Sequence, residues 1–194
     1  MFRHKKEKID KKEDIIKSTQ KKKNEKGVKV VGVILALIVF LGLVLRLTGI
    51  KHGFPFIFHP DEPTIIRSAL GIRFDPNPKH FDWPHFYIYL NYFLYMVFAK
   101  IRTFFVSAGL QEKLTMIFPL AWNEDLIYYY LTRCFSAILG ALTAVPVYLA
   151  TKELFGKKAG VLGALAMTML PYHVRHSHYA LGDVPMAFLL AWAF

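Results

Sequence analysis

Residues 28–50 read VKVVGVILALIVFLGLVLRLTGI, and charge interrupts the run only at Lys29 and Arg46. A helix rising about 1.5 Å per residue crosses a hydrocarbon core of about 30 Å in about 20 residues. A run this long and this apolar is expected to be a membrane span. The residues before it decide its direction. Residues 1–29 hold twelve Lys or Arg against five acids, a net +7 of the chain's +11. Such a tail holds its end of the span in the cytoplasm and touches anionic lipid. It lacks the interleaved aromatics of a nucleic-acid arm, and no nucleic-acid partner is expected. The run is too long for a cleaved signal, and no small-x-small cleavage site follows it. Arg46 is expected near the outer end, its stem snorkelling to the interface.

The rest of the chain repeats the pattern. Hydrophobic residues make up 54% of the sequence, more than in an ordinary soluble domain. Further spans are expected at 126–150, 159–174 and 184–194, with a basic loop at 151–158 and a mixed loop at 106–124. The single cysteine, Cys134, excludes an intrachain disulfide framework. Residues 49–125 form an outer loop in this reading. It contains a short helix after HPDE, turn chemistry at DPNP (75–78), and the aromatic segment WPHFYIYLNYFLYMVFAKIRTFF (83–105). If 83–105 crossed the membrane, Lys152, Lys157 and Lys158 would lie outside, against the positive-inside rule. If it lies along the interface, where Tyr and Phe are favoured, the basic loop is cytoplasmic and Asp183 emerges on the face of Asp61. The second arrangement is preferred. The last run, 184–194, makes about 16 Å of helix, half a bilayer, so the chain is expected to be the N-terminal part of a longer protein. The organisation is therefore a basic tail, 1–27, followed by a polytopic all-α membrane domain, 28–194.

Asp61 and Glu62 sit in that outer loop. One reading is structural: acids in a first turn satisfy free N–H groups and the helix dipole, and Pro63 supports a helix start. The other is chemical: a carboxylate at the mouth of a membrane cavity serves as a general base, or binds a divalent cation that neutralises a phosphate. The same two readings apply to Asp183 in YALGDVP. Arg67 and Arg175 are either headgroup contacts or phosphate ligands. His59, His80, His85, His173, His176 and His178 show no strong metal spacing, and the sequence leaves metal dependence open. No phosphate-binding glycine loop, dinucleotide fingerprint or nucleophile elbow is present.

The order of a first span ending near Arg46, HPDE, WPHFYIYL, LTRCFSAILGALTAVPVYLATKELFGKKAG and LPYHVRHSHYALGDVPMAFLLAWAF resembles the N-terminal third of the GT-C membrane glycosyltransferases. It is most similar to the glycosyltransferase 39 group, related to dolichyl-phosphate-mannose protein mannosyltransferases and aminoarabinose transferases. The resemblance spans about residues 28–194. It implies a GT-C-like helical fold and transfer of a sugar from a polyprenyl- or dolichyl-phosphate carrier to a protein, lipid or glycan acceptor at the outer face. By resemblance Asp61 is the catalytic carboxylate, Glu62 its partner, and Asp183 a second acid facing the same cavity. The family commonly has Arg five residues before that last acid; here the position is His178, with Arg175 further back. Arg67, Arg175 and His178 are the candidates for the carrier phosphate or substrate. The chain on its own is expected to be inactive. A transporter using Asp61 and Asp183 as a proton or cation relay is the alternative reading, and a silent scaffold that caps helices with these acids is a third.

Overall fold

The computed structural model describes residue 27 and residues 29–78 and 82–193. The basic tail, apart from Gly27, lies outside the described residues, as does His80. All regular structure among the described residues is helical. The helices are α1 (Lys29–Leu47), α2 (Glu62–Gly71), α3 (His85–Ser107), α4 (Gln111–Ile117), α5 (Ile127–Leu142), α6 (Ala144–Phe155), α7 (Lys157–Met169), α8 (Pro171–His176) and α9 (Asp183–Ala193). Helix α4 gives structure to the stretch expected to be a loop at 106–124. Two compact units divide the chain at residues 37 and 38. The first contributes the opening turns of α1; the remaining helices belong to the second.

Two helices are long and apolar enough to cross a membrane: Lys29–Leu47, and Ile127–Phe155, which is α5 and α6 end to end. The joint at Thr143 has a local cause. Pro146 lacks the N–H that would bond Leu142, which bends a helix, and the Thr143 hydroxyl donates to the Leu139 carbonyl at 2.9 Å. The expected basic loop at 151–158 is a single turn residue. Helix α6 continues through Lys152 and Glu153 to Phe155, and Gly156 at φ +87° reverses the chain into α7. Charged residues with good helix propensity stay helical until a glycine supplies the left-handed backbone. The expected segment 159–174 is two helices. Pro171 pushes Leu170 to an extended ψ of 112°, ending α7 and starting α8.

The core forms where α2, α3 and α5 meet. Ile65, Ile66 and Ala69 line one face of α2, with Ile72 just past its end, and Ile88, Tyr95 and Phe98 one face of α3. Ile127 and Leu131 of α5 and Leu114 of α4 close the cluster. Two pairs of buried hydroxyls bond each other in it, Tyr95 with Thr132 and Tyr87 with Ser136, the latter at 3.0 Å. The outward face of α3 is also apolar, with Phe86, Tyr89, Phe93, Val97, Ile101 and Phe104 exposed at helical spacing.

The small residues in AGVLGALA allow α7 to lie directly on α6. A Cβ at Gly160 would come within 2.9 Å of both the Tyr148 carbonyl oxygen and the Lys152 Cβ, and one at Gly163 within 2.9 Å of the Thr151 hydroxyl. Because a backbone atom is among the contacts, the hairpin cannot yield by turning a side chain. Gly160→Leu is therefore expected to cost about 1–3 kcal/mol, the range for overpacking. A fall in the midpoint of thermal unfolding in detergent measures it, and an unchanged midpoint would mean the two helices are not in contact.

Arg46 lies at the end of α1, but its side chain does not snorkel: it is fully buried within the protein. Its Nε donates to the Ser177 hydroxyl at 3.2 Å, its Nη1 to the carbonyls of Gly42 and Thr168, and its Nη2 meets His173 Nδ1 at 2.9 Å. Those partners lie more than 120 residues away along the chain, apart from Gly42, and they give a buried charge the hydrogen bonds it requires. Gly140 makes room: a Cβ there would stand 2.5 Å from the Ser177 hydroxyl and 3.0 Å from Arg46 Nε.

Candidate functional site

The residues between α1 and α2 turn repeatedly, with the backbone bonds His52 to Gly49, Phe54 to Lys51 and Phe56 to Gly53. The segment ends at HPDE, where Pro63 occupies the first turn of α2. The two acids of HPDE meet opposite fates. Glu62 is entirely buried, and so is Arg133 of α5. Arg133 Nε donates to Glu62 Oε1 at 2.8 Å and Nη2 to Oε2 at 2.7 Å, a two-pronged pair. Oε1 also accepts the Ala180 N–H at 2.7 Å. The remaining Arg133 nitrogen, Nη1, donates to the carbonyls of Ile50 and His52 at 3.2 and 3.0 Å, and the guanidinium lies 4.6 Å from the Phe54 ring centre. One ion pair thus ties together the outgoing loop, the start of α2, the middle of α5 and the segment before α9.

Asp61 is left outside that lock. Its side chain is 48% exposed. It stands at the helix-capping position with φ −87° and ψ −20°, yet makes no side-chain capping bond. A side-chain capping bond therefore does not account for it. Its N–H donates to His59 Nδ1 at 3.3 Å, and its Oδ2 is 4.0 Å from the same nitrogen. Aromatic rings crowd the segment: Tyr179 lies between His59 (4.9 Å, centre to centre) and His52 (5.3 Å). Partial burial, and then the Arg133 charge, push the His52 imidazole below its ordinary pKa.

Asp183 opens α9, three residues beyond the Ala180 N–H that Glu62 holds. Its side chain is 70% exposed, and Oδ2 is 3.4 Å from His176 Nδ1. Asp61 and Asp183 are thus each within three residues of the same Glu62–Ala180 bond. The histidines of HVRHSH diverge. His173 faces Arg46, His176 faces Asp183, and the two nitrogens of His178 face the Val174 and Thr48 carbonyls at 2.8 and 2.9 Å. Arg175 is exposed on α8, and Arg67 is exposed on α2. Among the described residues no group of three or more His, Cys, Asp or Glu is placed to hold a metal ion.

Sequence reasoning missed Arg133, which lies inside the run expected to be a span at 126–150. The available signal was its cost. A guanidinium in an apolar helix calls for a carboxylate partner, and HPDE supplies two.

Residues 114–194 match the family model of dolichyl-phosphate-mannose-protein mannosyltransferases. This is the family whose resemblance the ordered motifs carry. The mannosyltransferase match takes in α5 to α9, and with them Arg133, Arg175, His178 and Asp183; Asp61, Glu62 and Arg67 precede it. Mannosyltransferases of this family are integral membrane proteins that use a polyprenyl-phosphate sugar. No curated protein and no solved structure matches the chain.

Proposed function

We propose that the protein transfers a sugar from a polyprenyl-phosphate carrier to an acceptor hydroxyl at the outer membrane face. Asp61 takes the hydroxyl proton as the acceptor oxygen attacks the anomeric carbon. The bond from that carbon to the carrier phosphate breaks, and the phosphate leaves with the electron pair. Attack opposite the leaving group inverts the anomeric centre. Asp183 is the second acid of the cavity. Arg175, one residue from the His176 that meets Asp183, neutralises the carrier phosphate. Glu62 holds the loop rather than the substrate, because both its oxygens are occupied. The N-terminus lies in the cytoplasm and α3 lies along the outer interface.

The observation that carries this reading is the contrast within HPDE: a fully pinned Glu62 fixes the backbone on which a half-exposed, uncapped Asp61 stands. A base needs such a scaffold and a free oxygen. The test is transfer. Membranes in which the full open reading frame that contains this chain is expressed are given mannosyl polyprenyl phosphate labelled in the sugar, and label is sought on protein, lipid and glycan fractions. Incorporation above that of membranes lacking the gene is expected. Equal incorporation in the two would remove the transferase reading.

A further inference from the structure

His178 has a backbone carbonyl within hydrogen-bond distance of each ring nitrogen: Val174 at 2.8 Å from Nδ1 and Thr48 at 2.9 Å from Nε2. A carbonyl only accepts, and a neutral imidazole carries a single N–H. Both bonds therefore form together only when the ring is an imidazolium. The backbone leaves these two carbonyls open. Thr48 follows the last residue of α1, with its own N–H on the Val44 carbonyl. Where α8 ends, the N–H of residue 178 turns to the Arg175 carbonyl and bypasses Val174. Helix C-termini present unpaired carbonyls at the negative end of the dipole, and a cation is favoured there. Among the described residues no carboxylate lies within 4.0 Å of the ring, so the carbonyls alone hold its charge.

The neighbouring charges are each engaged elsewhere. His52, on the loop after α1, stands 6.2 Å from His178, edge to face. Burial, then the charges of Arg133 and His178, hold the His52 imidazole below its ordinary pKa, so His52 is the neutral member of the pair. Arg133 is matched by Glu62. Lys51 lies over the Tyr130 ring at 5.8 Å. On α8, His176 meets Asp183 and Arg175 is exposed.

We infer that His178 is a positioning residue for the transfer in its imidazolium form, and that its deprotonation frees the end of α1 from the segment between α8 and α9. The inference rests on the transferase reading. Thr48 begins the loop that leads to HPDE, and His178 lies two residues before the Ala180 N–H that Glu62 holds. His52 packs on Tyr179 and Tyr179 on His59, whose Nδ1 takes the Asp61 N–H. A neutral ring donates to one carbonyl only. The Val174 bond closes a single local turn, so the bond given up is the one to Thr48, 130 residues away. The loop carrying Asp61 then loses a tie to the segment carrying Asp183. With both nitrogens engaged, His178 has none free for the carrier phosphate.

The test has two parts, both on the protein of the full open reading frame that contains this chain. In the first, its histidine nitrogens are isotope-labelled and their N–H signals followed by magnetic resonance in detergent. An imidazole N–H open to water exchanges too fast to be seen, whereas a hydrogen-bonded one persists. His178, assigned by the signals that His178→Gln removes, is expected to show two N–H signals at low pH and one as pH rises. One signal at every pH, or none, overturns the proposal. In the second part, sugar transfer in membranes is measured against pH. Wild-type transfer is expected to fall on the alkaline side, with the midpoint at which the second N–H signal is lost. His178→Arg, charged throughout, should keep the low-pH rate and abolish that fall. His178→Gln should lower the low-pH rate by on the order of tenfold, as loss of a charge-assisted bond does. A merely structural role would lower the rate without moving the profile. An alkaline fall that persists in His178→Arg, or loss of transfer by that variant at low pH, overturns the positioning role. Two N–H signals with no sugar transferred by any form would leave the imidazolium bridge and remove the transferase reading.

Discussion

Asp61→Asn is expected to lower sugar transfer in membranes by about 10²–10⁴-fold, the usual contribution of a positioned general base, while leaving the fold intact. The structure separates the two effects. The Asp61 side chain makes no capping bond and is half exposed, so an isosteric amide removes a proton acceptor without opening a cavity. Surface substitutions of this kind stay within about 0.5 kcal/mol. Thermal unfolding of the variant in detergent should therefore overlay the wild type. Asp61→Glu should retain part of the activity, because the carboxylate persists while its reach changes. Transfer by Asp61→Asn at the wild-type rate would move the base elsewhere, with Asp183 the next acid to test.

The two helices long and apolar enough to cross a membrane were legible in the sequence because hydropathy over 20 residues is a strong local signal. The break at Leu170 was not, although Pro171 marks it. The apolar run LPYHV continues across the proline, and composition outweighed backbone chemistry. The opposite error occurred at 151–158, where charge was taken for a loop. Lys152 and Glu153 are good helix formers, and only Gly156 turns the chain.

The site divides along the same line. HPDE and GDVP could be found because acids beside apolar runs are conspicuous. What joins them could not be found locally. Arg133 and Glu62 are 71 residues apart, and Arg46 and Ser177 are 131 apart. No periodicity links such positions. The residues looked like intrusions into spans, whereas the fold uses each as the point where distant segments are tied.

The Glu62–Arg133 pair carries the last expectation, because stability and position separate in it. Arg133→Met should cost about 3–5 kcal/mol, since the Glu62 carboxylate is left buried and uncompensated. Glu62→Leu should cost a similar amount by stranding the guanidinium. In the double variant neither charge remains, and apolar replacement of a buried pair is often neutral or better. Most of the lost stability should therefore return, giving a strongly non-additive double-mutant cycle by thermal unfolding. Activity should not return with it. The pair also binds the Ala180 N–H and the Ile50 and His52 carbonyls, and no hydrocarbon side chain can replace those bonds. Without them, the segments carrying Asp61 and Asp183 are no longer held in register, and a displacement of about 1 Å at a reacting centre can cost on the order of 10²-fold in rate. A double variant that is stable and inactive makes Glu62 and Arg133 positioning residues. One that recovers both stability and transfer would show that the pair serves the fold alone, and that Asp61 is held by its own turn.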